Sequence, residues 1–506
     1  MSNIFVESLG FISTLPVLIT LVVAVKTRNV ILGLFLGVFS GVVILHGMNP
    51  FTSMSVVVEK YFIQQITKSS NAGMLVLMTL IGGLVGLMEK SGGAAAFAKM
   101  VVRKITSKTK AMFSAWMSGT LLFFTDSGTP LIVGPLFRPI MDGLKISREK
   151  LAWIIDSTAS PVAVLIPFIG WGLYSQGLIA QEYSELGISE DAFTSYVKSI
   201  PYQFYSLLAV VMVPLILILK VDFGSMRIAE IKAQDTQKLV QDLNSVEEKG
   251  EKEHENAKPI MVWLPLSVMM VILFAMLIPK GFPLDIGNIP SNAFRSSLST
   301  AYIFAAISLI VLMSRLKIKT LNDSFQLYLK SIGSMFNILI ILVLAWSLGA
   351  VGKDLGTANY IVSLTDGKFA GFLVPVIAFI IGAIISFATG SSWGTYAILF
   401  PLIIPMAHQF DSPIYVSIGA VLSGGLFGDH CSPISDTTIL SSTGAGCTHL
   451  DHVKTQLPYA LFNGLCCTAA FIFAGITASI WGLFLGFILM LSGLMIIRKL
   501  VALKKP

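Results

Sequence analysis

The chain has 506 residues, of which 54% are hydrophobic and only 12% are charged, and its formal net charge is +7. Soluble domains carry roughly 25% charged residues, so this composition excludes an ordinary soluble protein. Apolar runs of about 20 residues recur along the chain and indicate membrane-spanning α-helices. We therefore predict an all-α polytopic membrane protein whose basic excess lies in loops on the cytoplasmic side.

The sequence also argues against several kinds of function. It contains no phosphate-binding loop and no constellation of nucleophile and base, so we expect neither an enzyme nor a cofactor. The four cysteines have no metal-ligand spacing and imply no disulfide framework. The excess of lysine and arginine follows the sides of the membrane, so we expect no nucleic-acid partner.

In the first half of the chain, predicted spans alternate with basic loops. Residues 1–72 hold the first spans, and the basic turn at Lys26 and Arg28 indicates a cytoplasmic loop, which places the N-terminus outside. Residues 73–219 form the predicted first repeat. Within it, 111–139 has basic flanks at both ends and is too short for two crossings, which need roughly 40 residues. We predict a re-entrant hairpin there, with its tip at Thr125-Asp126-Ser127-Gly128-Thr129-Pro130.

A broken span and a charged linker follow. The span 151–174 is interrupted at Asp156-Ser157-Thr158-Ala159-Ser160-Pro161, and the acidic segment 181–191 after it is expected outside. Residues 220–258 have 16 charged residues in 39. Such a stretch is typical of a solvated tether, so we predict a cytoplasmic linker between two halves.

The second half repeats this organisation. Residues 259–331 hold connecting spans, 332–457 form the predicted second repeat, and 458–506 hold the last spans, which finish in the cytoplasm. A second re-entrant hairpin is predicted at 371–409, with its tip at Thr389-Gly390-Ser391-Ser392-Trp393-Gly394-Thr395. The total is about 11 transmembrane helices plus two hairpins.

The most informative stretch lies in this half, directly after the apolar run 414–427. It reads Gly428-Asp429-His430-Cys431-Ser432-Pro433-Ile434-Ser435-Asp436-Thr437-Thr438. Ionisable groups at membrane depth persist mainly where they line an ion or substrate path. Pro433 breaks the helix and leaves carbonyls and hydroxyls free to hold a cation. The alternative is a polar loop just beyond a helix end.

Spacing relates the two halves to each other. Gly92 lies 34 residues before Asp126, and Gly356 lies 34 residues before Gly390. Ser-Pro follows an aspartate in both halves, at Ser160-Pro161 and at Ser432-Pro433. With the predicted sides of the membrane, the two copies run in opposite directions. Inverted repeats of this kind meet at a site near the bilayer midplane in secondary transporters; a channel or a membrane receptor is the alternative of a different class.

With these residues in view, the chain resembles the NhaC family of Na+/H+ antiporters. The specific part runs from Gly428 through Thr438 and on to Ser441-Ser442-Thr443-Gly444-Ala445. The resemblance implies inverted repeats with paired hairpins, a scaffold, a mobile transport domain with elevator-type movement, and a homodimer in the cell membrane. Because the family also includes carriers of organic acids and amino acids, it leaves the substrate open.

Asp429 and Asp436 are the leading ion ligands, since Na+ prefers hard oxygen donors. Na+ and H+ would compete for one carboxylate, because a bound cation favours its charged form. This predicts exchange of cytoplasmic Na+ for external H+; the alternative is an amino-acid or organic-acid carrier coupled to either ion. Further candidate ligands are Ser432, Thr437, Thr389, Ser391 and Ser392 in the second half, and Thr125, Asp126, Ser127, Thr129, Asp156 and Ser160 in the first. The predicted helix breaks are Pro161 and Pro433.

Structural roles compete with these functional ones. Asp126 and Asp156 could each cap a broken helix, because aspartate is a favoured N-cap residue. His430 is either a hydrogen-bonding spacer or a proton carrier. Glu89 is expected to be a surface acid at the membrane edge, and His452 is given no role.

Overall fold

The computed structural model describes residues 9–47, 49–102, 107–235, 256–281, 291–357, 360 and 370–503. Throughout these ranges the regular structure is helical and no strand is present, which confirms the predicted all-α class.

The helices of the first half are α1 (Leu15–Thr27), α2 (Val30–Leu45), α3 (Pro50–Val56), α4 (Gln64–Thr67), α5 (Ser69–Lys90), α6 (Gly93–Val102), α7 (Lys108–Leu121), α8 (Gly128–Gly143), α9 (Arg148–Asp156), α10 (Ser160–Ala163), α11 (Gly170–Leu186), α12 (Ala192–Ser199), α13 (Phe204–Leu219) and α14 (Gly224–Asp235). Those of the second half are α15 (Ile260–Leu277), α16 (Ser291–Arg315), α17 (Leu321–Ile332), α18 (Phe336–Asp354), α19 (Leu373–Thr389), α20 (Ser392–Gln409), α21 (Ile414–Cys431), α22 (Asp436–Ala445), α23 (His449–Thr477) and α24 (Trp481–Leu503).

Within the described ranges, 7 helices are long and apolar enough to cross a membrane, or up to 9 if each of two bent helix pairs is one span. The chain is thus a multi-pass membrane protein. The predicted number, about 11, is larger because it includes segments that the structure breaks. Residues 151–174, for example, are divided among α9, α10 and the start of α11, each too short to be counted. The full count remains a prediction.

Each half contains the same order of elements. In the first half, α7 and α8 pack together and are followed by a helix that breaks between α9 and α10. In the second half, α19 and α20 pack together and are followed by a break between α21 and α22. These helix pairs coincide with the two predicted hairpins. Their re-entrant course, the opposite orientation of the copies and the exact segment boundaries remain predictions.

The two breaks lie at the Ser-Pro dipeptides. Pro161 occupies the first turn of α10, where the missing backbone donor costs nothing. Ser432, the residue before Pro433, is extended at φ −73° and ψ 136° and ends α21. A proline disfavours the helical conformation of the preceding residue, so the sequence itself ends α21 next to Asp429.

The helix pair α19–α21 has the most extensive contact among the described helices. A Cβ atom on Gly424 would lie 2.4 Å from the carbonyl oxygen of Phe379, and one on Gly428 would lie 2.2 Å from the amide nitrogen of Phe387. Because these distances are far below van der Waals contact, only glycine permits the approach. The two backbones therefore pack directly on each other beside Asp429.

The start of the predicted linker is folded against the helical body. Glu230 on α14 accepts hydrogen bonds from the backbone amide of Ser147 at 2.8 Å and from its hydroxyl at 2.6 Å. The buried Lys150 on α9 forms an ion pair with Asp222. The larger part of the predicted linker, 236–255, lies outside the described residues.

Candidate functional site

The carboxyl group of Asp429 is at the centre of the candidate site. Asp429 lies in the last turn of α21 and its side chain is only 5% exposed. Its Oδ1 accepts a hydrogen bond from the Ser435 hydroxyl at 2.8 Å, and Ser435 in turn contacts the Thr437 hydroxyl at 3.0 Å. Its Oδ2 receives no hydrogen bond from any described residue. The site thus contains a buried carboxylate oxygen that is free to bind a ligand.

The second predicted tip packs against this break. Gly390, in the left-handed conformation at φ 67°, lies against the carbonyl of Ile434. Ser391 caps α20 by accepting from the Gly394 amide at 3.3 Å. The hydroxyl of Ser392 donates to the Gly425 carbonyl at 3.1 Å and lies beside the Asp429 carboxylate. Since the Ser392 proton is already donated, its oxygen lone pairs remain available as a neutral cation ligand.

The remaining hydroxyls of these two segments are bonded to backbone carbonyls. Thr389 donates to Ile385 at 2.8 Å, and Ser432 donates to Phe387 at 2.7 Å. Ser432 therefore joins the end of α21 to the end of α19. Both hydroxyl oxygens retain acceptor capacity, although their protons hold the backbone in place.

Asp156, at the end of α9, is fully buried and well satisfied. Its Oδ1 accepts from the Ser441 hydroxyl at 3.2 Å, and its Oδ2 faces Gln456 Nε2 at 2.7 Å and His452 Nε2 at 3.3 Å. Gln456 also donates to the carbonyl of His430. Asp156 thus joins the second half of the chain to the first. The hydroxyl of Ser160, four residues further on, is buried and makes no hydrogen bond to any described residue.

His430, in the second half of the chain, also contacts two residues of the first half. Its Nε2 lies 3.2 Å from the Ser157 hydroxyl, and its Nδ1 lies 2.9 Å from the Tyr205 hydroxyl. Both ring nitrogens are occupied and the side chain is buried. This geometry favours the spacer role over a mobile proton carrier.

The tip between α7 and α8 is held differently. Asp126 is half-buried, and its Oδ1 accepts from the Ser127 amide at 2.7 Å and from the Ser127 hydroxyl at 3.0 Å. Its Oδ2 accepts from Trp171 Nε1 at 2.9 Å. The ring of Trp171 lies 4.6 Å from that of Trp393, centroid to centroid. The two tips therefore meet through this tryptophan pair.

Two threonines complete the first tip. Thr125 accepts from the Gly128 amide at 2.9 Å and donates to the carboxylate of Glu89. Thr129 donates to the carbonyl of Thr125 at 2.8 Å. Glu89 is therefore a partner of the tip, whereas the sequence favoured a surface acid.

The structure brings together some predicted ligands and separates others. Asp126 and Asp156 lie near enough to interact electrostatically with Asp429, so both halves contribute to one region. Asp436, in contrast, is exposed in the first turn of α22, and its place in the ion site remains a prediction. Among the described residues, no cluster of three or more histidine, cysteine or acidic side chains is arranged to hold a metal ion.

Sequence reasoning missed the contribution of α23. His452 and Gln456 lie one helical turn apart and reach Asp156, which is about 300 positions away in the chain. Their spacing, which places both polar groups on one face of the helix just before a long apolar run, is the signal that could have drawn attention to them. Ser435 and Ser441 belong to the recognised motif but were not singled out.

Asp126 and Asp156 interact electrostatically with Asp429, and the Ser435 hydroxyl donates to the Asp429 carboxylate. Of the oxygens of these three carboxylates, Asp429 Oδ2 is the one that is buried without a hydrogen-bond donor among the described residues. Hard oxygen donors suit an alkali cation, and a proton satisfies the same oxygen by covalent attachment.

Comparison with known proteins shows the family to which the chain belongs. A family model described as the Na+/H+ antiporter family matches residues 162–476. An uncharacterized protein of Haemophilus influenzae is 31% identical over 484 residues, which cover 92% of this chain and 91% of that protein. The Alcanivorax borkumensis YdaH transporter has the same fold, with a TM-score of 0.55 at 15% identity over 85% of this chain and 90% of its own.

Two shorter matches have named activities. The malate-2H(+)/Na(+)-lactate antiporter of Bacillus subtilis is 41% identical over 78 residues, 15% of this chain and 17% of that protein. The arginine/ornithine antiporter ArcD of Halobacterium salinarum is 30% identical over 169 residues, 32% of this chain and 34% of that protein. The resemblance predicted from the Asp429 motif is confirmed, and the chain belongs to the Na+/H+ antiporter family of membrane transporters.

Proposed function

We propose that this protein exchanges Na+ for H+ across the membrane and that Asp429 binds the two ions in turn. The observation that carries the proposal is the Oδ2 atom of Asp429, which is buried and receives no hydrogen bond from the described residues. An ionised carboxylate left without compensation in a protein interior costs several kcal/mol. Binding of either Na+ or H+ removes that cost, so each ion displaces the other.

The surrounding oxygens support Na+ as the cation. The hydroxyls of Ser435, Ser392 and Thr437 lie at or next to the carboxylate and add neutral oxygen donors without adding charge. A single bound monovalent cation then neutralises the one unpaired carboxylate. The polarity of exchange in this proposal is cytoplasmic Na+ outward and external H+ inward.

The family resemblance supports the remaining parts of the proposal. They are an elevator-type alternating-access movement and a homodimer. The distribution of basic loops supports a cell-membrane location with the N-terminus outside and the C-terminus in the cytoplasm. The direct backbone packing of α19 on α21 suits such a movement, because the tip and the broken helix would travel as one body.

The test uses the purified full chain in proteoliposomes that contain a pH dye. Vesicles loaded with Na+ and diluted into Na+-free buffer should acidify inside, because Na+ leaves as H+ enters. A K+ ionophore that clamps the membrane voltage separates exchange from passive charge movement. Absence of any pH change with Na+, Li+ and K+ gradients would contradict ion exchange.

A second candidate is an organic-acid or amino-acid antiporter that uses Na+ or H+ as its coupling ion. The names of the two shorter matches, a malate and lactate exchanger and an arginine and ornithine exchanger, favour it. The half-buried groups Asp126, Ser127 and Ser391 at the two tips would then face the organic substrate. Counterflow of labelled lactate, malate, arginine and ornithine in Na+-containing vesicles would distinguish this candidate from simple Na+/H+ exchange.

A further inference from the structure

A second buried acid lies away from the Asp429 region. Glu182 is on α11, in the acidic segment that the sequence places outside, yet its side chain is only 4% exposed. A Cβ atom on Gly349 of α18 would lie 2.7 Å from Glu182 Oε1, and the same position is 3.6 Å from the ring of Pro401 on α20. The side chain of Glu182 is therefore buried where α11, α18 and α20 pack together, with its carboxyl group next to the backbone of Gly349.

The neighbouring Glu185, one turn along the same helix, is paired with the nearby lysines. It forms ion pairs with Lys68 at the start of α5 and with Lys353 on α18, and Gln181 donates to it at 2.8 Å. No hydrogen bond or ion pair to Glu182 is found in the part of the chain that the structure describes. Two glutamates on one helix thus have opposite surroundings.

Among the described residues, the charged groups that influence Glu182 are Glu185 on its own helix, Lys68 and Lys353. Both lysines are already paired with Glu185. The surface contributed by α20 is the apolar ring of Pro401. An isolated buried carboxylate is so unfavourable that the group takes a proton instead.

We propose that Glu182 is a second proton-binding residue of this transporter, protonated while α11, α18 and α20 are packed as seen here. When that contact opens, water reaches the group, its O–H bond breaks, the electron pair stays on the carboxylate oxygen and the proton passes to water. Re-packing requires the reverse step. Proton uptake and release at Glu182 are thereby tied to the movement of these helices.

The position of Glu182 suits this role. It lies 11 residues beyond Trp171, which contacts Asp126, so the separation along α11 is about 16 Å. On α20, Pro401 lies nine residues beyond Ser392, or about 14 Å. Helix α20, which carries Ser392 beside Asp429, and helix α11, which carries Trp171 beside Asp126, therefore also meet near Glu182, and their relative movement would affect both regions.

The role in transport rests on the H+ exchange proposed above, but the protonation itself can be measured without any flux. The test compares infrared spectra of the purified full chain and of Glu182→Gln at neutral pH. The spectrum of the wild type minus that of the variant should show the C=O band of a protonated carboxyl group, because this band is lost in Glu182→Gln. The matched control Glu185→Gln should keep this band, because Glu185 is ionised and paired with two lysines. Thermal unfolding should give Glu182→Gln a melting temperature close to that of the wild type, since glutamine has the shape of the neutral acid, whereas Glu185→Gln should melt earlier.

In proteoliposomes, Glu182→Gln should retain Na+-dependent flux. A plot of this flux against pH should lack one of the transitions that the wild type shows, because the variant has no carboxyl group to titrate at this position. The inference is overturned if Glu182→Gln leaves the carboxyl band unchanged, or if its pH profile equals that of the wild type. If the wild-type protein moves no H+ at all, the proposed exchange fails, while the infrared band still reports the state of Glu182.

Discussion

The two broken helices share a sequence pattern, but their aspartates differ in the number of hydrogen bonds that they receive. Asp156 in the first half receives hydrogen bonds or close contacts from Ser441, Gln456 and His452. Asp429 in the second half receives one, from Ser435, on a single oxygen. Both carboxyl groups are almost completely buried.

A motif that occurs in both halves can therefore have different surroundings in each. A satisfied carboxylate can be ionised permanently and can orient its neighbours, whereas a half-satisfied one depends on a ligand. We infer that Asp156 holds the two halves together and that Asp429 exchanges ions. Substitutions at the two aspartates and at their partners test whether these roles differ.

The largest effect is expected for Asp429→Asn. Asparagine keeps the shape and can accept from Ser435, but it carries no charge and exchanges no proton, so Na+-driven acidification should be lost. At about 100 times its dissociation constant, Na+ should stabilise the wild type by about 2.7 kcal/mol and leave this variant unchanged. Na+-dependent unfolding and vesicle acidification measure the two effects, and wild-type behaviour in both would mean that the ion binds elsewhere.

Asp156→Asn should mainly reduce stability. Its amide nitrogen would face Gln456 Nε2 or the Ser441 hydroxyl, and hydrogen bonds to charged groups contribute about 1.5–3 kcal/mol each. We expect the free energy of unfolding to fall by about 2–3 kcal/mol, with the stabilisation by Na+ retained. A double-mutant cycle with His452→Gln should show non-additive losses; loss of the Na+ effect would instead make Asp156 an ion ligand.

Tyr205→Phe removes the hydroxyl that contacts His430 Nδ1. A loss of about 1 kcal/mol is expected, without a change in the pH dependence of transport, if His430 is a spacer. Tyr396→Phe is the matched control, because its buried hydroxyl donates to the Leu422 carbonyl at 2.9 Å. A displaced pH profile in Tyr205→Phe alone would show that His430 takes part in proton transfer.

The smallest effect is expected for Asp436→Asn. The residue is exposed at the start of α22, where a negative charge interacts with the helix dipole by about 0.3–1 kcal/mol. Thermal unfolding in Na+-free buffer measures this loss, and flux at several Na+ concentrations measures affinity. A weakened Na+ affinity would establish Asp436 as the second ligand that the sequence pattern suggests.

The helix breaks were predictable because their cause is local. Pro433 restricts Ser432 next to it, and this restriction ends α21 wherever the rest of the chain lies. The same stretch also predicts a functional role for Asp429, since a carboxylate directly after an apolar run is costly unless it has a function; the structure adds that this carboxylate is buried.

The partners of these groups could not be predicted, because they are brought together by tertiary packing. Nothing near Asp156 in the sequence indicates that His452 and Gln456 would satisfy it. In the same way, the acidic composition around Glu182 predicted a solvent-exposed side chain. The structure shows instead that Glu182 is buried, with its carboxyl group next to Gly349.

The direct backbone contact between α19 and α21 has a mechanical consequence. Side chains at a helix interface can change rotamer and absorb a small displacement, but the contacts at Gly424 and Gly428 leave no such compliance. We therefore expect a displacement of the Ser391 tip to move the backbone at Asp429 with it. We expect the two helices to move as one rigid unit.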